Sequence, residues 1–175
     1  MINHNKQFIT RVKLGSDESP GINCLLREKK GVLLAGSENG WVYRLSKEKT
    51  DSVFLRSNSM KVNRIMDMVL DIEGNIFCAA DCGLYVIPRN ANDGLSDPVR
   101  IFGKDGENHL SFKSVTIDNK GIIYVSNRNF IAPVMRSSSG NFFVDTPLLF
   151  SGRTYALSFD NHNTLWFEQF ERLNY

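Results

Sequence analysis

Apolar residues along this chain fall in short runs of four to six residues, each bounded by polar, glycine or asparagine positions. No segment keeps the 3.6-residue period of a helix, so the pattern predicts short β-strands joined by tight turns. One motif recurs four times: an acidic residue, two polar residues, a Gly or Asn, and then an apolar strand. Its copies are Glu28–Ala35, Asp71–Cys78, Asp118–Val125 and Asp160–Phe167.

The spacing of this motif indicates the fold. Its glycine or asparagine position recurs after 43, 47 and 42 residues, at Gly31, Gly74, Gly121 and Asn163. Six and four residues before this glycine or asparagine, each of the last three copies has an apolar residue, whereas the first copy has Leu25 and Arg27. Third strands are predicted at 40–43 and 83–86, and fourth strands at 52–56, 99–102 and 148–150. Four short strands per repeat of this length is the blade period of a β-propeller. We therefore expect an all-β propeller of about four four-stranded blades.

The positions in the repeat at which the chain starts and stops are compatible with two kinds of ring. The predicted units are approximately 20–56, 62–102, 110–150 and 153–175, within a single domain of 175 residues. Residues 7–14 fit the outer strand that the fourth unit lacks, and the chain stops inside that unit's third strand. Either four blades close on themselves through this N-terminal strand, or the chain forms part of a larger ring.

The acidic residue of each turn has a structural explanation. Its carboxylate can accept backbone N–H bonds within the turn, and Gly or Asn three residues later tolerates positive φ. We therefore expect Glu28, Asp71, Asp118 and Asp160 to stabilise turns and not to act chemically.

The first unit resembles the two-component regulator propeller repeat of the sensor regions of bacterial hybrid histidine kinases, through the segment 22–40. The second unit matches it through Asp71, Gly74, Asn75, Gly83, Leu84 and Tyr85. Leu34 and Phe77 stand where that repeat usually has Trp. The resemblance implies a binding module for signal transduction that recognises a carbohydrate or small molecule. It also implies a periplasmic location and an attached or associated signalling domain, although the N-terminus has no visible export signal.

Other propeller families share this blade motif, and they define the alternatives. Residues 156–160 and 165–168 are similar to the virginiamycin B lyase repeat. Gluconolactonase-like propellers hold a divalent metal such as calcium, and Asn63 and Asp81 could mimic two of their ligands. The alternatives are therefore a lactonase-like or lyase-like enzyme with a divalent cation, or a protein-interaction propeller without catalysis.

By analogy with propellers, loops that enter the first strands share one face with loops that join second to third strands. Candidate ligand-binding residues on this face include carboxylate-binding cations and an aromatic ring for stacking. They are Asn23, Asn63, Arg64, Asp81, Lys113, Arg128, Arg153 and Tyr155, with Glu38, Asn39, Asn108, His109 and Asn127 around them.

Composition narrows the class of function further. A net charge of +2 gives no strong attraction to nucleic acid, and no apolar run is long enough for a membrane helix. Cys24, Cys78 and Cys82 fit small buried residues better than a zinc site, and the three histidines lack metal-ligand spacing. No nucleophile elbow or phosphate loop occurs. We therefore predict no catalytic residues and no cofactor, and we favour a binding module over the enzyme alternative.

Overall fold

The computed structural model describes residues 20–28, 31–47, 49–56, 63–90, 94–150, 154–169 and 172–174. Every regular element in these ranges is a strand, which confirms the all-β prediction. The predicted strand at 7–14 lies outside the described residues. The first blade contains β1 (Ile22–Arg27), β2 (Leu33–Ser37), β3 (Trp41–Leu45) and β4 (Thr50–Phe54). The second contains β5 (Ile65–Leu70), β6 (Ile76–Ala80), β7 (Gly83–Ile87) and β8 (Val99–Gly103).

The third blade contains β9 (Ser114–Ile117), β10 (Ile123–Ser126), β11 (Phe130–Arg136), β12 (Phe142–Val144) and β13 (Leu149–Phe150). The fourth contains β14 (Thr154–Phe159), β15 (Leu165–Gln169) and β16 (Arg172–Asn174). Within each blade, strands pair antiparallel in chain order from the inside outward, except that β13 pairs with β11 and not with β12. The innermost strands pack in a row, β1 along β5, β5 along β9 and β9 along β14. This radial arrangement is that of a β-propeller.

Turns at one end of each blade have the predicted chemistry. Oδ1 of Asp71 accepts the backbone N–H groups of Glu73 and Asn75, at 2.9 and 2.8 Å. Asp118 and Asp160 make the same pair of bonds in their own turns. The position three residues after each acidic residue has positive φ, including 63° at Asn163. Glu28 differs, because its carboxylate binds the guanidinium of Arg44 at 2.8 Å.

Two apolar layers between successive blades form most of the core. One layer lies between the first and second blades and includes Leu34, Val42 and Ile76. The other lies between the second and third blades, where the rings of Phe77 and Phe142 meet edge to face at 5.0 Å. Each blade is therefore stabilised mainly by its neighbours, as in other repeat folds.

The outer strand of the third blade differs from its prediction. Two segments, β12 and β13, pair with β11 where the sequence predicts one strand at 148–150. The gap faces Pro133, whose carbonyl accepts the N–H of Asp145 at 3.0 Å. Because proline has no N–H to offer on that same side, the ladder is interrupted there. Besides its pairing with β11, β12 pairs in parallel with β8, and this joins the second and third blades at their rim.

Candidate ligand-binding face

In the described residues, the end of the blades opposite the acidic turns is formed by the segments just before β1, β5 and β9 together with the loops β2–β3, β6–β7 and β10–β11. Backbone hydrogen bonds hold the two kinds of loop together: the Glu38 amide donates to Gly21, and the Asp81 amide to Arg64. In the third blade the Lys113 amide donates to Ser126. The predicted pairing of these loops on one side is therefore present, and we call this side the loop face.

An ion cluster joins the second and third blades on the loop face. Asp81, in the β6–β7 turn, accepts a bond from Nε of Arg64 at 2.8 Å and one from Nζ of Lys113 at 2.9 Å. Lys113 precedes β9, so this carboxylate links two blades. The Lys113 side chain is 9% exposed and that of Asp81 18%, whereas that of Arg64 is 58% exposed. Asp81 is thus the half-buried anchor of this cluster, that is, the carboxylate that both cations bind, and Arg64 is the solvent-exposed member of the cluster.

Electrostatics keep this cluster ionised. Burial alone would raise the pKa of Asp81, but the hydrogen bonds and charges of Lys113 and Arg64 outweigh burial and hold the pKa below its ordinary value. The hydrogen bond to Asp81 raises the pKa of Arg64, and the charge of Glu38 adds to this effect. Acidic and basic side chains therefore alternate across the first three blades of the loop face.

A β-bulge shapes the start of the inner strands. The register shifts between Ile22 and Cys24, between Ile65 and Asp67, and between Thr154 and Ala156. Extra residues at these bulges are Asn23, Met66 and Tyr155, and Lys113 holds the equivalent repeat position just before β9. A bulge re-aims one side chain without breaking the sheet. Three of the predicted site residues, Asn23, Lys113 and Tyr155, therefore share one position of the repeat, and Tyr155 is exposed there.

The remaining predicted residues separate into three groups. Asn63 is buried, because its amide donates to the Leu55 carbonyl and its oxygen accepts the Cys82 N–H. Arg128 is exposed in the β10–β11 loop. Arg153 lies outside the described residues. The structure thus brings Arg64, Asp81 and Lys113 into contact, and it places Asn63 in the packing beneath them.

Two inner-strand residues were missed by the sequence interpretation. The Asp67 carboxylate accepts the Ser114 hydroxyl at 2.6 Å and the Val115 N–H at 3.0 Å. Oγ of Ser114 in turn accepts the Leu157 N–H at 3.1 Å. This chain of bonds connects β5, β9 and β14. A polar residue in each of two apolar strands, Asp67 and Ser114, was the available signal.

A second polar group lies on the outer part of the loop face. The guanidinium of Arg100 donates to the Cys82 carbonyl and to Oδ1 of Asn108, and it lies over the Phe102 ring. His109 packs edge to face on Phe130 at 4.9 Å. These contacts hold the β8–β9 loop against the blade.

Thiols and acidic groups show no catalytic arrangement in the described ranges. Burial raises the pKa of the Cys24 thiol to about 12, and burial also raises the pKa of Cys78 far above its ordinary range. Both thiols are therefore protonated near neutral pH and are poor nucleophiles. Among the described residues, no three His, Cys, Asp or Glu side chains are grouped as metal ligands. No helix in the same residues is long and apolar enough to cross a membrane.

Comparison with known proteins identifies the fold of the chain but not its family. No protein-family model matches the chain, and no curated protein matches it in sequence. Among solved structures, the extracellular domain of a hybrid two-component system protein from B. thetaiotaomicron matches with a TM-score of 0.63 and 14% identity. That match covers 94% of this chain and 23% of the other. A gluconolactonase from Xanthomonas campestris matches with a TM-score of 0.58 and 12% identity, over 85% of this chain and 54% of that one.

A streptogramin B lyase matches similarly, with a TM-score of 0.59 and 13% identity over 85% of this chain and 48% of that one. The chain thus spans about half the length of the gluconolactonase and the lyase, and about a quarter of the length of the extracellular domain. At these identities the likeness establishes the class of protein: the chain has a β-propeller fold.

Proposed function

We propose that this chain is a ligand-binding, sensor-type propeller that recognises a carbohydrate or small molecule on its loop face. The observation that carries the proposal is the ion cluster of Arg64, Asp81 and Lys113. Its anchor is half-buried between two blades, yet the Arg64 side chain is largely exposed. Such a cluster presents a pre-organised hydrogen-bonding group to solvent.

The geometry of Arg64 suits a polar ligand. Asp81 engages Nε of the guanidinium and the Arg64 side chain is 58% exposed, which makes its two terminal nitrogens the atoms proposed to meet a ligand. A planar guanidinium edge binds carboxylates or neighbouring hydroxyl groups through two parallel hydrogen bonds. Because Asp81 and Glu38 offset much of the positive charge, a neutral sugar or a weakly acidic one fits better than a highly charged anion.

The structural neighbours support the same class of function. One of them is the extracellular domain of a hybrid two-component system protein, and its fold resembles this chain over 94% of the chain's length. In this proposal the chain senses a ligand and passes the signal to an attached or associated domain, which is consistent with a periplasmic location.

A screen of glycans and small organic acids against thermal stability tests the proposal. A compound that binds the folded protein raises the melting temperature in proportion to the logarithm of its concentration. The Arg64→Gln variant should lose this shift. The control is Arg136→Gln, because Arg136 has a similarly exposed ion pair, at 2.9 Å to Glu73 in an acidic turn on the opposite end.

Each outcome of the screen decides between the alternatives. Loss of the ligand shift in Arg64→Gln but not in Arg136→Gln supports the proposal. A library without any stabilising compound contradicts it and favours a protein-interaction propeller. A stabilising divalent cation with lactone or streptogramin turnover would favour the enzyme alternative. For that alternative the two proposed metal ligands fit poorly, because Asn63 and Asp81 already use their oxygens in protein hydrogen bonds.

A further inference from the structure

The guanidinium of Arg100, on the loop-face side of the second blade, is held in place by neutral groups. Arg100 lies on β8 opposite Tyr85, and its side chain is half-buried. Nη2 donates to the Cys82 carbonyl and to Oδ1 of Asn108, the latter at 2.6 Å. The guanidinium carbon lies 5.9 Å from the centre of the Tyr85 ring and 5.4 Å from that of Phe102. No carboxylate in the described part of the chain forms an ion pair with Arg100.

Arg136 shows what an equivalent group looks like when its charge is balanced within the protein. Its guanidinium also lies over an aromatic ring, that of Phe142 at 5.3 Å, and it also donates to a backbone carbonyl, that of Gly140. In addition, its Nη1 pairs with the Glu73 carboxylate at 2.9 Å. The Arg100 group has a neutral amide in the role that this carboxylate has for Arg136, so its positive charge is not offset by an ion pair.

The remaining side nitrogen of Arg100 is buried at some cost to the fold. Nε is enclosed and has no hydrogen-bond partner. It lies against the β6–β7 turn at Gly83, where a Cβ would come within 2.8 Å of it. A buried donor without an acceptor is rare and unfavourable, and such departures are concentrated at functional sites. The glycine and the unsatisfied Nε therefore indicate that the guanidinium is fixed in position for a purpose other than stability.

Two donors of this group are available to a ligand. Nη1 of Arg100 donates to no described residue, and neither does Nδ2 of Asn108, whose side chain is exposed. The bond from Nη2 to Oδ1 joins the two side chains, so both donors belong to one fixed group at the protein surface. The acidic residue beside Asn108 in the loop, Glu107, lies 3.2 Å from Nε2 of His109 and not against the guanidinium.

We propose that Arg100 and Asn108 bind the carboxylate of a small acid that contains a six-membered ring. A guanidinium matches a carboxylate in shape and in charge, and a neighbouring amide N–H adds a further hydrogen bond. Phe102 lies beside the guanidinium and is 43% exposed, so its ring offers a surface on which the ring of the acid packs. A uronic acid and an aromatic carboxylic acid share this chemistry. The subsite has no residue in common with the loop-face ion cluster, so the inference does not depend on the proposed function.

NMR titration of the folded chain with glucuronate, benzoate and glucose tests this proposal. We expect the Arg100 Nε and Asn108 side-chain amide resonances to shift with the acids and not with glucose, which has a sugar ring without a carboxylate. The acid that binds more tightly identifies the source of the carboxylate, a sugar or an aromatic compound. Arg100→Gln should weaken acid binding at least about tenfold, because it removes the charge and the planar fork. Asn108→Ala should weaken it about threefold to tenfold.

Three further variants serve as controls, and circular dichroism checks that each is folded. Arg100→Lys keeps the charge but lacks the planar fork, so it should recover only part of the affinity that Arg100→Gln loses. Arg136→Gln removes a guanidinium that also lies over an aromatic ring, and it should leave the affinity unchanged. Arg64→Gln, which tests the proposed function, should also leave binding of the acids at this subsite unchanged.

Three results would overturn the proposal. The absence of a shift with either acid up to about 20 mM, a concentration that detects even millimolar affinities, would exclude the subsite. Equal binding of glucose and glucuronate, with no binding of benzoate, would exclude recognition of the carboxylate. An affinity that Arg100→Gln leaves unchanged, or that Arg136→Gln or Arg64→Gln lowers equally, would mean that the acids bind elsewhere or respond only to overall charge.

Discussion

Replacing Asp81 by Asn removes the anchor of the loop-face cluster while keeping its shape. Asn has the size of Asp, and the backbone bond from residue 81 to the Arg64 carbonyl does not depend on the side chain. The substitution removes one negative charge between Arg64 and Lys113. The Lys113 ammonium is then left in a site where its side chain is only 9% exposed.

The structure sets the size of this effect. Removing one partner of a fully buried ion pair costs about 3–5 kcal/mol, because the other charge stays buried and unpaired. The Arg64 side of the cluster is open to solvent and contributes about 1 kcal/mol or less. Since Asp81 is only half-buried, we expect a total loss of about 2–3 kcal/mol. For a domain of this size that loss lowers the melting temperature by roughly 5–10 °C.

Calorimetry or urea unfolding of Asp81→Asn measures this loss. The control is Asp145→Asn, because Asp145 pairs at 3.5 Å with a well-exposed Lys104 and should lose less than about 1 kcal/mol. Adding Lys113→Met to Asp81→Asn should recover part of the stability, since it removes the buried positive charge of Lys113 that the first substitution leaves without its carboxylate. Equal losses in Asp81→Asn and Asp145→Asn, or no recovery in the double variant, would refute the buried-anchor reasoning.

The same cluster predicts a pH dependence. Because the pKa of Asp81 is lower in the folded state, its contribution is present above the unfolded pKa of about 3.9 and is lost as the pH falls through the folded value. Stability measured between pH 6 and pH 3 should therefore fall less steeply in Asp81→Asn than in the parent protein. Equal slopes would contradict the lowered pKa.

Three further predictions test the packing, the turns and the thiols. Phe77→Ala should cost about 3–5 kcal/mol of unfolding free energy, because its ring is fully buried between the second and third blades, whereas Trp166→Ala at the equivalent repeat position, where the side chain is 41% exposed, should cost less; equal losses would contradict this difference in burial. Gly121→Ala should cost about 1–2 kcal/mol because φ is 85° at that turn, and a neutral effect would refute the strain argument. Cys24 and Cys78 should not react with a thiol reagent at pH 8 until the protein unfolds, and rapid labelling of the native state would contradict their raised pKa values.

Most of the fold could be predicted because its information is local. An acidic residue, a turn glycine and a short apolar strand lie within eight residues, and their recurrence identifies the blade. The split outer strand of the third blade could not be predicted, because it depends on which side of β11 the missing N–H of Pro133 faces. That side is fixed only once β11 has paired with β10.

The site was predictable in part for the same reason. The repeat places the loops before the first strands beside the β2–β3-type loops, so Arg64, Asp81 and Lys113 could be assigned to one face. The burial of Asn63 could not be foreseen, because its partners depend on how the chain packs around it. The bond between Asp67 and Ser114 spans 47 residues and crosses two blades, and no local pattern encodes such a contact.

Hydrogen–deuterium exchange with and without a stabilising sugar or organic acid tests the central claim most directly. The amides of Asp81, Ser111 and Lys113 donate to backbone carbonyls on the loop face and so report on that face. The account predicts that the ligand slows exchange at these amides and leaves the acidic turns 71–75 and 118–122 unchanged. Protection confined to the acidic turns would contradict the proposed binding face.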